Sequence, residues 1–295
     1  MALAETALRR ITPLEPRRMQ QAIARLQALP AFYPAVHKAL SLIEDPDSGD
    51  DHLRQVICSD QAMAGGVLRL ANSASFGYCG QVHTISLAIQ LIGRQKLATL
   101  LRRFLAEELI AMLSGRKPAA AHLREMSLAT ATAAYLIAEQ SGRSDREEIL
   151  LAGLLHNIGE FMLLYQFRDH YQEALRLHAR LGRAEAEKAV FGLESRLVGK
   201  QLLEAWNFPP FFLAAGEHSA DPWAADPSAA PLEAIAIIYA GRNLAEAWLA
   251  GWKADEVCVS LSPRLYTTLA VERQFLTEIY SNLPAEITRL QSALV

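Results

Sequence analysis

The sequence predicts an all-α protein, a helical bundle arranged in two lobes. Three observations predict it. Ala and Leu, both strong helix formers, are abundant throughout. No segment sustains the two-residue alternation of a strand, apart from a short EVCVSLS stretch at 256–262. Turn signals fall at intervals that suit helices: Pro30 and Pro34, DPDSGDD at 45–51, SGRKP at 114–118, SGRSD at 141–145 and DPWAADPSAAP at 221–231.

The elements follow in order. Pro30 and Pro34 flank an early turn. The 45–51 loop ends in acids suited to a helix start. VLRLANSASFG (67–77) runs from a helix into a turn, where Asn72 and Ser73 can tie down backbone groups at the helix end. AIQLIGRQKLATLLRRF (88–104) reads as one amphipathic helix. The break at 114–118 separates the two helical regions. Beyond it, LREMSLATATAAYLIAEQ (123–140) is a second long helix, and SGRSD closes it and opens the next. The apolar stretch 149–165 is interrupted by His156, Asn157 and Glu160, which makes it a poor membrane span. NFPPFF (207–212) reads as a helix–helix turn whose prolines keep Phe211 and Phe212 out of regular helix, a candidate interaction surface. Pro231 suits the first turn of a further helix. The expected organisation is a first lobe over 1–115, a second over 116–250 and a helical extension over 251–295, folded as one compact unit.

Composition narrows the function. The chain has 295 residues, 51% apolar and 21% charged, the balance of a globular protein with a substantial core. A net charge of −3 with a pI near 6.3 supplies no basic field for nucleic acid or anionic lipid. MALAETALRR is not a secretory signal. Cys58, Cys79 and Cys258 are scattered and form no CxxC pair, so neither a zinc ribbon nor a disulfide framework is expected, and a reducing cytoplasm is the simplest home. There is no GxSxG, no GxxxxGK[ST] and no GxGxxG after a strand. Glu107-Glu108 and Glu147-Glu148 read as solvated surface rather than acid–base pairs, since neighbours on a helix point about 100° apart, and Arg102-Arg103 reads as a solvated helix face, with attraction of a phosphate as the alternative.

Five blocks occur in one order: LPAFYPAV (29–36), CSDQAMAGGVLRLANSASFG (58–77), AIQLIG (88–93), AGLLHNIG (152–159) and EAWNFPPFF (204–212). Together they make the chain resemble the HDOD, or HD-related output domain, family over roughly residues 20–245. Gln61 stands where that family normally has proline. The resemblance implies a two-lobed helical domain of bacterial signalling proteins, whose second lobe is a degenerate relative of the HD phosphohydrolase bundle. It also implies where an HD metal centre would have been: a histidine on an early helix, a His-Asp pair, further histidines in some members, and a late aspartate. Matched to that pattern, this chain carries Met126, His156-Asn157, Ser195, His218-Ser219 and Gly241. A thioether is a poor ligand for a hard ion, asparagine lacks the aspartate charge, and serine and glycine replace the rest. The site is therefore expected to be lost, with no metal and no cofactor.

The expected function is that of a non-catalytic output or scaffold protein of signal transduction that binds another signalling protein. No receiver, cyclase or kinase region accompanies it. Two other readings stand beside this one: a sensor that binds a nucleotide in the vacated pocket, and a residual metal-dependent phosphohydrolase. The sequence leaves the partner, the pathway and the oligomeric state open.

Overall fold

A computed structural model describes residues 12–27, 34–72, 81–115, 119–226, 228 and 231–294. Every extended regular element among them is α-helical, beside one turn of 3₁₀ helix at Pro222–Ala224. The EVCVSLS stretch lies largely in a helix, Ala254–Ser260, and adds no strand. Val257 and Leu261 of this stretch are buried against neighbouring helices, so burial in a helical core accounts for its apolar character.

The first lobe is built from α2 (Pro34–Glu44), α3 (Asp50–Cys58), α4 (Gln61–Ala71), α5 (Ile85–Ile92) and α6 (Arg94–Ser114). Asp50 and Asp51 occupy the first turn of α3, where the helix dipole favours negative charge. Asn72 ends α4 as expected. Its Nδ2 donates to the Leu68 and Val82 carbonyls at 2.8 and 2.7 Å, and its Oδ1 accepts from Val82 N–H at 3.0 Å. Ser73 lies outside the described residues. The 88–104 segment is two helices rather than one. Gly93, at φ +78, ends α5 and starts α6, a backbone conformation that glycine adopts without strain. Arg94 exploits the break: it donates to Ser48 O at 3.0 Å and Leu42 O at 2.7 Å, tying the 45–48 loop to α6.

The second lobe contains α7 (Ala119–Gln140), α8 (Arg146–Leu155), α9 (Ile158–Gln166), α10 (Arg168–Leu181), α11 (Arg183–Phe191), α12 (Ser195–Ala205), α13 (Pro210–His218) and α14 (Leu232–Leu249). Its axis is the α7–α14 pair. The facing surface of α7 is small, with Ala129, Thr130, Ala131, Ala133 and Ala134 all buried, so the helices approach closely. Gly241 of α14 lies at that crossing: a Cβ there would come within 2.8 Å of Thr130 O and 2.9 Å of Ala134 N.

The α6 helix joins the lobes, packing on α2, α4 and α5 on one side and on α8 and α9 on the other. Arg103 is the polar centre of that junction. It is only 3% exposed and pairs with Glu107 at 3.1 Å and Glu147 at 3.8 Å. The solvated-face reading of Arg102-Arg103 thus fails for Arg103, because α6 is covered on both sides. An early helix, α1 (Pro16–Gln27), packs on α12, and buried Trp206 donates from Nε1 to Leu26 O at 3.0 Å. The C-terminal helices α15 (Ala254–Ser260), α16 (Pro263–Leu269) and α17 (Arg273–Leu294) return to cover α7 and α14. The apolar run 146–166 is long enough to cross a membrane, but 78% of its most apolar window is buried inside the fold, where it forms core as α8 and α9.

Candidate functional site

The stretch LLHNIGE is the junction of α8 and α9, which only His156 and Asn157 separate. Two glycines place it. A Cβ on Gly153 would approach Ala131 Cα to 2.7 Å, so α8 lies directly on α7 there. A Cβ on Gly159 would collide with the Ser195 carbonyl and come within 2.7 Å of Gly199 N, so α9 lies directly on α12. His156 and Asn157 are thereby held between α7 and α12.

His156 is 8% exposed, and its Nδ1 lies 2.7 Å from Gly153 O. A carbonyl can only accept, so Nδ1 carries the proton and Nε2 keeps its lone pair. Burial, with the nearby Arg242 and Arg183 guanidinium groups adding to it, pushes the imidazole pKa down to about 3 even though the Gly153 bond opposes this. The ring is neutral at physiological pH.

Asn157 is buried and occupied. Its Oδ1 accepts from Ser127 Oγ at 2.7 Å and its Nδ2 donates to Leu123 O at 3.3 Å. The α7 residue that faces it is Ser127. Met126, the position assigned from the sequence, is half-buried one residue away and its sulfur accepts from Thr130 Oγ1 at 3.7 Å. Ser195 is also spent: its N–H and Oγ donate to the Glu187 carboxylate at 2.6 and 2.9 Å.

His156, Asn157 and Ser195 line one cavity of about 170 Å³. Met126 lines a second of about 340 Å³. His218 and Gly241 line neither. His218 lies 3.7 Å from Glu217 at the end of α13, and Gly241 faces the α7 backbone. The set read from the sequence is corrected at several positions: Met126 lines a separate cavity, and His218 lines neither, its neighbour Ser219 lining the first. The late-helix position contributes no side chain to the pocket, and its neighbour Arg242 enters instead. Phe212 is not a surface residue. It is 3% exposed, in the first turn of α13 after Pro210, with Phe208 edge-on at 5.6 Å and Phe211 at 5.3 Å. Proline at the first helical position starts this helix rather than preventing it. Phe211 is half-buried against the same core.

The sequence reading missed a charge network at the centre of the site. Glu160 accepts from Tyr171 Oη at 3.1 Å and pairs with Arg183. Arg183 also reaches Glu187 at 3.3 Å, and Glu187 holds Ser195. Burial works against the Arg183 charge, but Glu160 and Glu187 outweigh it and keep the guanidinium above its ordinary pKa. Burial and Glu160 together push the Tyr171 phenol up, so it stays a donor. Arg242 donates from Nε and Nη2 to Glu246 at 3.0 and 2.9 Å. The one legible signal was Glu160 itself, a carboxylate in an apolar run, which requires a buried partner.

This donor set does not fit a divalent ion. The amide of Asn157 is consumed, Glu160 and Glu187 are paired to Arg183, and two guanidinium groups stand beside the one available imidazole. Among the described residues no three His, Cys, Asp or Glu side chains are grouped to hold a metal.

A model of the HDOD domain matches residues 29–222. Among solved structures, a candidate phosphohydrolase from Shewanella amazonensis SB2B superposes with a TM-score of 0.68 at 20% identity, covering 94% of this chain and 98% of that one. An HDOD domain protein of unknown function from Geobacter sulfurreducens gives 0.64 at 20% identity, covering 88% and 90%. A candidate signal transduction protein from Marinobacter aquaeolei VT8 gives 0.64 at 21% identity, with 99% of this chain covering 64% of that one. At these identities the likeness is one of fold. No curated protein matches the sequence.

Proposed function

This chain belongs to the HDOD domain family, and from that premise we propose that it is a non-catalytic output protein of bacterial signal transduction, working in the cytoplasm by binding another signalling protein. One observation carries the reading: an arginine and a spent asparagine flank His156 where an HD-type reaction needs carboxylates. A metal-activated water requires ligands that attract the ion and an open position for the oxygen. Here the Arg242 and Arg183 guanidinium groups already act on His156, the carboxylates that line the cavity are held in ion pairs, and the Asn157 amide is tied to α7. Residues kept for chemistry elsewhere serve packing here. His156 closes the last turn of α8, and Asn157 fastens the α8–α9 junction.

A protein of this kind transmits a signal by presenting different surfaces in two states, with the partner favouring one. The test is a phosphodiester assay on tag-free protein with bis(p-nitrophenyl) phosphate and added Mn²⁺, Mg²⁺ or Fe²⁺, beside elemental analysis and affinity capture of partners. The expected outcome is no turnover above the metal blanks, well under one metal per chain, and a retained protein partner that chelators do not release. Metal-dependent turnover that scales with enzyme concentration would replace this reading with the residual phosphohydrolase.

A further inference from the structure

The two cavities share a wall. Glu160, Arg183 and Glu187 line both, with the 170 Å³ chamber on one side and the 340 Å³ chamber on the other. The wall is a side chain held by ion pairs rather than by packed backbone: Arg183 bridges Glu160 of α9 and Glu187 of its own helix, and its side chain is still 34% exposed. The chambers differ in chemistry. The larger is walled by Leu123, Met126, Ala174, Leu175 and Leu249, with the Tyr171 ring beside them. The smaller is lined by more charged side chains, with Arg183, Arg196 and Arg242 beside Glu160, Glu187, Glu194 and Glu217.

Arg183 and Arg242 hold donors in reserve. Arg242 commits Nε and Nη2 to Glu246, and Arg183 commits Nε and Nη2 to Glu187 and Glu160, so among the described residues Nη1 of each has no protein acceptor. The carboxylates of the wall are better satisfied. Glu160 receives Tyr171 and Arg183, and Glu187 receives Arg183 and both Ser195 donors. The other carboxylates of the smaller chamber are paired elsewhere, Glu194 with Lys188 and Arg196 and Glu217 with Lys200, so the spare guanidinium protons are left for an oxyanion, which meets that need best. Two carboxylates, Glu160 and Glu187, offset Arg183 and only one, Glu246, offsets Arg242, so the attraction falls more on Arg242.

We infer that the two chambers form one ligand site divided by Arg183, which takes a small amphipathic anion: an aromatic or heterocyclic body in the larger chamber and a single phosphate or carboxylate in the smaller. The smaller chamber alone falls below the roughly 300–1,000 Å³ of small-molecule sites, and the joined space falls within it. Occupancy would draw Arg183 toward the ligand and loosen its bridge from α9 to α11, a differential contact by which a small molecule could bias the fold. This goes beyond the scaffold reading and does not depend on it.

The test is calorimetric titration and thermal shift on the full chain, at constant ionic strength, with adenosine 5′-monophosphate, phenyl phosphate and benzoate. Adenosine and inorganic phosphate serve as half-ligands. Saturable binding by at least one of the three, tighter than by either half-ligand, is expected, and the best of them tells whether the oxyanion is a phosphate or a carboxylate. Arg242→Gln should weaken it about tenfold, the loss of one charge-assisted hydrogen bond. Leu175→Glu, at a rim position 54% exposed and so tolerated by the fold, should weaken it as well. No saturable binding by any of the three would overturn the site, as would binding that Leu175→Glu leaves unchanged.

Discussion

Replacing Asn157 with aspartate restores one charge and no ligand set. In Asn157→Asp the Ser127 hydroxyl can still donate, but the contact with Leu123 O at 3.3 Å becomes one between two acceptors. Burial raises the carboxyl pKa, so the folded state prefers the protonated acid. The variant should be less stable than wild type by about 1–3 kcal/mol at pH 8. That deficit should shrink toward pH 5, because a group with a raised folded pKa contributes its stability below the unfolded pKa and loses it as pH rises. Urea midpoints at the two pH values check the sign, and the variant should still hydrolyse no phosphodiester with added metal. His156 gives the mirror case. Its folded pKa of about 3 lies below the unfolded value of about 6.5. Stability is therefore complete above the unfolded value and falls as the pH drops below it, because the unfolded chain takes up the proton first. Between pH 7.5 and pH 5 the wild type should lose about 2 kcal/mol more than His156→Gln. Equal losses would mean that the ring is hydrated.

The glycines of AGLLHNIG are contact points between helices, and this scale explains why the sequence pattern was legible while the placement of Gly241 at the pocket was not. Gly159→Ala drives a methyl group into the α12 backbone at Ser195 and Gly199. Backbone cannot rotate away as a side chain can, so the cost should reach or exceed the roughly 3 kcal/mol top of the usual overpacking range. Gly241→Asp, an apparent repair of the late ligand, should destabilise the fold in the same way, because its Cβ direction meets Thr130 O and Ala134 N. Gly216 is the control. A Cβ there meets only Leu203 Cδ1 at 3.6 Å, so Gly216→Ala should be neutral or stabilise by up to about 1 kcal/mol through helix propensity. Thermal melts of the three variants order the effects. Local rules read the helix at 123–140, the Asn72 clamp and the helix end at Ser114, because each depends on neighbours in sequence; residues 116–118 of the expected break lie outside the described residues. The rules failed at Gly93, where one left-handed residue splits an otherwise continuous amphipathic pattern. They also failed for Arg183, whose role comes from pairing with Glu160 across α9 and α11, and for Arg242, which pairs within α14 but reaches the cavity only through the fold.

At the scale of the whole molecule, the lobes meet through a buried arginine that looked like surface in the sequence. Arg103 pairs with Glu107 on its own helix and with Glu147 on α8, a partner 44 positions away that no local pattern could show. Burial raises the Glu107 pKa, and Arg103 holds that rise back. Removing the arginine therefore leaves a disfavoured carboxylate at the junction. Arg103→Met should cost about 3–5 kcal/mol, the scale of breaking a buried pair by deleting one partner. The cost should grow with rising pH as Glu107 is forced to ionise. Glu147→Gln in the same background should recover part of it, since the two sites share one network. The tryptophans make the coupling between lobes measurable. All four, at positions 206, 223, 248 and 252, lie outside the first lobe, whereas far-ultraviolet circular dichroism follows helices in both. Because α6 packs on both sides and α17 returns to α7, unfolding should be cooperative. The fluorescence and dichroism curves in urea should then superimpose for the wild type. In Arg103→Met they should shift together to lower urea, with one midpoint between them. A dichroism curve in two steps, only one of them matched by fluorescence, would show two lobes that fold independently, and the junction at Arg103 would then carry no coupling.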